Sequence, residues 1–140
     1  MVKRRSLRRI GLLTVSVFAA AIWSVNAQAA CTIKVGFIST FEGAFAVLGP
    51  ESFRGAELAV NEFGGKAGGC DIELIKGSSD ARPDVAIAAA RKLVENDDVD
   101  ILVGPLSGSE GLAMKEYAKT QPNKTFVNGI SAAQDTTLRE

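Results

Sequence analysis

Residues 32–79 read TIKVGFISTFEGAFAVLGPESFRGAELAVNEFGGKAGGCDIELIKGSS, and this stretch decides the fold. It opens with a run rich in branched apolar residues at 33–39 (IKVGFIS) and closes with a second at 72–77 (IELIKG), each of strand length. Between them the period changes. Phe53, Ala56, Val60 and Phe63 recur at spacings of three and four, which puts them on one stripe of an amphipathic helix over residues 53–63. The helix stops at Gly64 and Gly65, and the glycine-rich run 64–69 supplies the left-handed-tolerant backbone that turns the chain into the next strand. A strand, a helix and a strand in this order form a βαβ unit, the building block of a parallel sheet.

Working outward toward the C-terminus, the alternation repeats. Strands are expected at 99–104 (VDILVG) and 125–128 (TFVN). A second helix starts at Pro83, whose fixed φ suits a first helical position, and runs to about Asn96 with Val85, Ala89 and Leu93 on its buried side. Arg91 and Lys92 sit near its end, where the helix dipole favours cations. A third follows Ser107 and ends near Thr120. Ser107-Gly-Ser-Glu110 has the spacing of a capping box, with the serine accepting from the third backbone N–H and the glutamate reaching back. The fold class expected is α/β, an open parallel sheet with helices on both faces.

Toward the N-terminus the chain changes character. Lys3, Arg4, Arg5, Arg8 and Arg9 precede an apolar stretch over 10–25, and Ala27-Gln28-Ala29 matches an A-x-A cleavage pattern. Residues 1–29 are therefore read as a signal peptide and 30–140 as the mature domain. An uncleaved membrane anchor and a lipoprotein leader ending at Cys31 are weighed against this. The first is short of the roughly 20 apolar residues a bilayer demands, and the second has Gln28 where an aliphatic residue normally stands. The paired arginines raise twin-arginine export, but no convincing motif follows either pair, so the general secretion route is favoured.

The 140 residues are 46% hydrophobic and 23% charged, an ordinary globular composition with room for one domain at most. Without the leader, eleven basic residues face sixteen acidic ones, a net charge of −5 that argues against nucleic-acid binding. The chain has no histidine, so the usual general base and the commonest metal ligand are both missing. Neither cysteine has a C-x-x-C partner, and no nucleophile elbow, phosphate loop or G-x-G-x-x-G is present. No catalytic residue, metal or cofactor is expected, and an α/β hydrolytic or nucleotide-binding enzyme is the less favoured class.

Val35-Gly-Phe-Ile-Ser39, Phe53-Arg-Gly-Ala-Glu-Leu-Ala-Val-Asn-Glu62, Gly64-Gly-Lys-Ala-Gly68, the Asp80/Pro83 helix start and Leu102-Val-Gly104 follow one another with characteristic gaps. In that order they resemble the type I periplasmic solute-binding proteins of ABC transporters, specifically the leucine/isoleucine/valine-binding group, from Ile33 to the end. The resemblance implies two lobes closing around an amino acid or similar small solute, delivery to an ABC permease in the inner membrane, a periplasmic location and a monomer at full length. It also implies a protein well over twice this mature length, so residues 30–140 are expected to be an incomplete first lobe. A sensor feeding a receptor is the alternative use of the same fold.

In an open parallel sheet, ligands sit outside the carboxyl ends of the strands. Four loops qualify, at 40–49, 78–82, 105–109 and 129–136. Ser107, Gly108 and Ser109 combine hydroxyls with free N–H groups at a helix start, a natural seat for a carboxylate. From the resemblance, Ser131 and Ala132 would add backbone or hydroxyl contacts, and Leu48 stands where relatives often place an aromatic wall. Asp80 is expected to order the loop before Pro83. Cys31 and Cys70 stand at the same offset before two adjacent parallel strands, so matching registers would bring them side by side as a structural disulfide, far from the ligand loops. Two buried free thiols are the other reading.

Overall fold

The computed structural model describes residues 31–138, so the expected leader at 1–29 lies outside the described residues. Strand β1 (Thr32–Thr40) leads through a 3-10 turn (Gly43–Phe45) into α1 (Leu48–Glu62); β2 (Lys66–Ala67) and β3 (Cys70–Ser79) follow. Helix α2 (Pro83–Arg91) runs on into a π-helical turn (Lys92–Asn96), then come β4 (Ile101–Val103), α3 (Gly108–Ala118), β5 (Thr125–Val127) and a short α4 (Asp135–Leu138). The sheet order is β2-β3-β1-β4-β5. β3, β1, β4 and β5 are mutually parallel, as a βαβ chain requires.

The one antiparallel member, β2, is an addition to the expected topology. Gly68 and Gly69, at φ of 59° and 89°, form a two-residue turn that folds Lys66–Ala67 back onto Cys70 and Asp71. Two consecutive positive φ values are what a twisted hairpin turn needs, and glycine takes them without a Cβ penalty. Glycine richness signalled a turn; the ribbon depends on register with β3, which local composition does not carry.

Alternation along β1 divides its side chains between the two faces. Gly36 and Ile38 face α2, while Phe37 and Ser39 face α1. Leu93, 1% exposed, fills the notch left by two glycines: a Cβ at Gly36 would stand 3.1 Å from its Cδ1, and one at Gly77 2.8 Å. Burying a leucine this fully contributes roughly 1.5–3 kcal/mol. Ile38, Val99, Leu102, Met114 and Tyr117 complete this core, and Tyr117 meets Phe126 edge-on at 5.9 Å. On the opposite face, Phe53 of α1 packs edge-on against Phe37 at 5.8 Å and Phe41 at 6.2 Å.

Two expectations about helix faces need correction. The buried side of α2 carries Ala86 and Ala90, with Leu93 and Val94 in the π-turn, whereas Val85 and Ala89 are only half-buried. With alanine at 86, 88, 89 and 90 small side chains stand on several sides of the helix, and those at 86 and 90 take the position of closest approach. The π-turn then lets the neighbouring Leu93 and Val94 both face inward. On α1, Phe63 is 77% exposed and does not join the stripe of Phe53, Ala56 and Val60. Helix α1 also begins five residues earlier than expected, because Pro50 is tolerated in a first turn.

Candidate ligand-binding site

Because the four parallel strands point the same way, their carboxyl ends gather the four loops at one rim of the sheet. The first two are tied together: the Phe41 and Glu42 amides donate to the Ser79 carbonyl at 3.0 and 3.2 Å, and Ser78 Oγ donates to Glu42 Oε1 at 2.8 Å. Asp80 orders the turn before α2 as expected, its Oδ1 accepting from the Arg82 amide at 3.1 Å while Oδ2 pairs with Arg82 Nε.

The third loop forms the expected capping box. Ser107 Oγ accepts from the Glu110 amide at 3.3 Å, and the Ser107 amide donates to Glu110 Oε2 at 3.0 Å. Its hydroxyl also lies 3.4 Å from the Ala81 carbonyl and from Ser109 Oγ, which links this loop to the second. Gly108 opens α3 and is half-buried, while Ser109 is exposed. The helix dipole places positive potential at this N-terminus, partly offset by the Glu110 carboxylate, and the capping box leaves the Gly108 and Ser109 amides for an anionic group. We expect Ser107→Ala to cost about 1 kcal/mol, read as a lower urea midpoint at unchanged slope; an unchanged midpoint would remove the cap from the account.

The fourth loop lies on the start of α3. A Cβ at Gly108 would stand 3.0 Å from Ala133, and one at Gly111 1.9 Å from Ser131 Oγ. The structure thus brings Ser107, Gly108, Ser109, Ser131 and Ala132 to one side of the rim. Ser131 turns its hydroxyl inward, where it is buried without a hydrogen-bond partner, and Ala132 is exposed. Leu48, 43% exposed, stands across the rim as the first residue of α1, on the other face of the sheet from α3.

Several rim features were not read from the sequence. Glu110 is fully buried, with Oε1 unpaired, and so is Thr40 with Oγ1 unpaired; the capping box was the available signal for Glu110, and nothing local marked Thr40. Ser39 and Ser52 join hydroxyls at 2.8 Å beside a largely apolar cavity of about 200 Å³ between α1 and Ile130. Two groups with displaced titration lie away from this rim. The Lys124 ammonium, hydrogen-bonded to Asp98 and attracting it, holds that carboxyl below its ordinary value; burial, then the charge of Glu95, raises the Tyr117 phenol. Among the described residues no three His, Cys, Asp or Glu side chains converge to hold a metal.

At the opposite end of the sheet, the register that pairs Thr32 with Asp71 brings Cys31 beside Cys70, and the two form a disulfide with Cα atoms 4.7 Å apart.

Comparison with known proteins agrees with this architecture. The family model described as periplasmic binding protein matches residues 32–138. The chain is 33% identical over 127 residues to the Leu/Ile/Val-binding protein homolog 7 of Brucella abortus (strain 2308), an alignment covering 89% of this chain and 31% of that protein. A solute binding protein of an ABC transporter from Rhodopseudomonas palustris BisB5, solved with 3,4-dihydroxybenzoic acid, superposes with a TM-score of 0.70 at 28% identity, over 78% of this chain and 30% of that one. A branched-chain amino acid transporter substrate binding protein from Streptococcus pneumoniae, solved with isoleucine, gives a TM-score of 0.68 at 27% identity, over 76% and 31%. The chain thus spans about a third of the length of its relatives. With its doubly covered parallel sheet, its carboxyl-end rim and a family match across nearly every described residue, the chain belongs to the periplasmic binding protein family.

Proposed function

We propose that this chain contributes the first lobe of an extracytoplasmic substrate-binding component of an ABC transporter, which captures an amino acid or similar small carboxylate in the periplasm for an inner-membrane permease. The observation that carries the reading is the N-terminus of α3 at the carboxyl rim, where first-turn amides and the exposed Ser109 hydroxyl sit beside Ser107 and Gly108. These groups would hold the ligand's carboxylate. Backbone groups of Ser131 and Ala132 would approach from the neighbouring loop, and Leu48 would bound the apolar part from the α1 side. The relatives support the ligand class, since their names and bound molecules are branched-chain amino acids and hydroxybenzoic acids. The chemistry is binding, not catalysis.

A single lobe leaves its ligand open to water on one side, and closure by a second lobe excludes that water and strengthens every polar contact. We therefore expect only millimolar binding to this chain by itself. Titration with L-isoleucine and with 4-hydroxybenzoate, followed by amide chemical shifts, should move residues 107–110 first. Shifts confined to another surface would overturn the site, and micromolar affinity for any amino acid would overturn the part assigned to closure.

A further inference from the structure

We infer that Gly111 and Gly108 are positioning residues for the fourth rim loop, and that the Ser131 side chain packs into the space a bare Gly111 leaves rather than serving as a hydroxyl ligand. Three observations lead here. A Cβ at Gly111 would stand 1.9 Å from Ser131 Oγ, 2.7 Å from Ser131 Cβ and 3.1 Å from Thr136 Cγ2. Rotating Ser131 about χ1 moves the oxygen but leaves its Cβ in place, so any side chain at 111 must push the loop backbone away. One turn earlier, a Cβ at Gly108 would meet Ala133 Cβ and N at 3.0 Å. The two glycines, three apart, lie on one face of α3 and form a groove into which the loop settles. Finally, the Ser131 hydroxyl is buried and unpaired, although a ligand-contacting hydroxyl would open onto the rim.

The same loop is closed on itself and strapped to α3. Asn128 Nδ2 donates to Thr136 Oγ1 at 2.9 Å, Thr136 Oγ1 donates to the Ala133 carbonyl at 2.6 Å, and Lys115 Nζ donates to the Asp135 carbonyl at 3.0 Å. The loop is thereby preset against the same helix whose N-terminus forms the anion seat, so two walls of the site share one reference element. A preset wall loses little conformational freedom when a ligand arrives.

The inference rests on the reading that this loop borders the ligand. Its test is made without ligand, so its failure and the failure of that reading are separable. Amide order parameters would be measured for the chain, for Gly111→Ala, for Gly111→Ala/Ser131→Gly and for Ser131→Leu. Gly111→Ala should lower the values at 130–136 from about 0.85 to below about 0.6 while β1 and β4 keep theirs, and Ser131→Gly should restore them. Ser131→Leu crowds the groove from the loop side, leaves α3 untouched and should free the loop in the same way, which decides the matter if Gly111→Ala does not fold. An unchanged loop in both Gly111→Ala and Ser131→Leu, or order lost equally across sheet and loop, would overturn the inference.

Discussion

Gly104→Ala is expected to unfold the chain or nearly so. Gly104 has φ of +114°, a conformation that L side chains rarely adopt, and a Cβ there would stand 2.2 Å from the Ile38 carbonyl oxygen and 3.1 Å from its carbon. The backbone strain by itself costs about 1–3 kcal/mol. The clash is with backbone in the centre of the sheet, which no rotamer change relieves, and moving Gly104 also disturbs its amide's 3.0 Å bond to the Val127 carbonyl. Together these should exceed about 4 kcal/mol, a large part of the 5–15 kcal/mol by which domains are stable. Gly55→Ala is the matched control. Gly55 lies in the middle of α1 with nothing within 4 Å of a Cβ, so alanine there should stabilise by about 0.5–1 kcal/mol. Urea unfolding followed by circular dichroism compares the two, and a Gly104→Ala midpoint close to wild type would refute the close-approach account.

The second large effect is expected from the disulfide. Cys31 and Cys70 close a loop with a sequence separation of 39, for which the chain-entropy model assigns about 4 kcal/mol of stabilisation through the unfolded state. In a domain of this size that corresponds to a melting-temperature loss on the order of 20 °C on reduction or in Cys31→Ala/Cys70→Ala. The bridge joins the N-terminal ends of β1 and β3, while the candidate site lies at their carboxyl ends. Loss of the bridge should therefore lower the melting temperature and leave the amide shifts of 107–110 in place at low temperature. A reduced chain that melts within a few degrees of the oxidised one would show the link to be redundant with the β1–β3 ladder.

Much of the candidate site was legible because its signals are local. The Ser107/Glu110 capping box, Pro83 at a helix start and Asp80 before it act through bonds spanning three residues or fewer, and each appears in the structure. The disulfide was legible by a slightly longer step, since equal offsets from two strands become neighbours once those strands are parallel and adjacent. Other features involve parts of the chain that are far apart. The inward turn of Ser131 depends on Gly111 being bare, and neither residue reveals the other. Likewise Thr40 is fully buried because the first turn of α1 closes over it, with a Cβ at Gly49 falling 2.4 Å from its carbonyl oxygen.

By itself, then, the amino-acid order determined the alternation of strands and helices, the doubly covered parallel sheet, the helix caps at its carboxyl rim and the pairing of the cysteines. These follow from periodicity, caps and turn residues, whose physics operates within a few positions along the chain. Only the tertiary structure decided which face of the alanine-rich α2 is buried, that Lys66–Ala67 adds an antiparallel edge, and that the Ser131 hydroxyl turns away from the rim. Those outcomes are set by close packing between segments distant in sequence, where the fit of one side chain against a bare glycine selects among arrangements that local preference leaves equal.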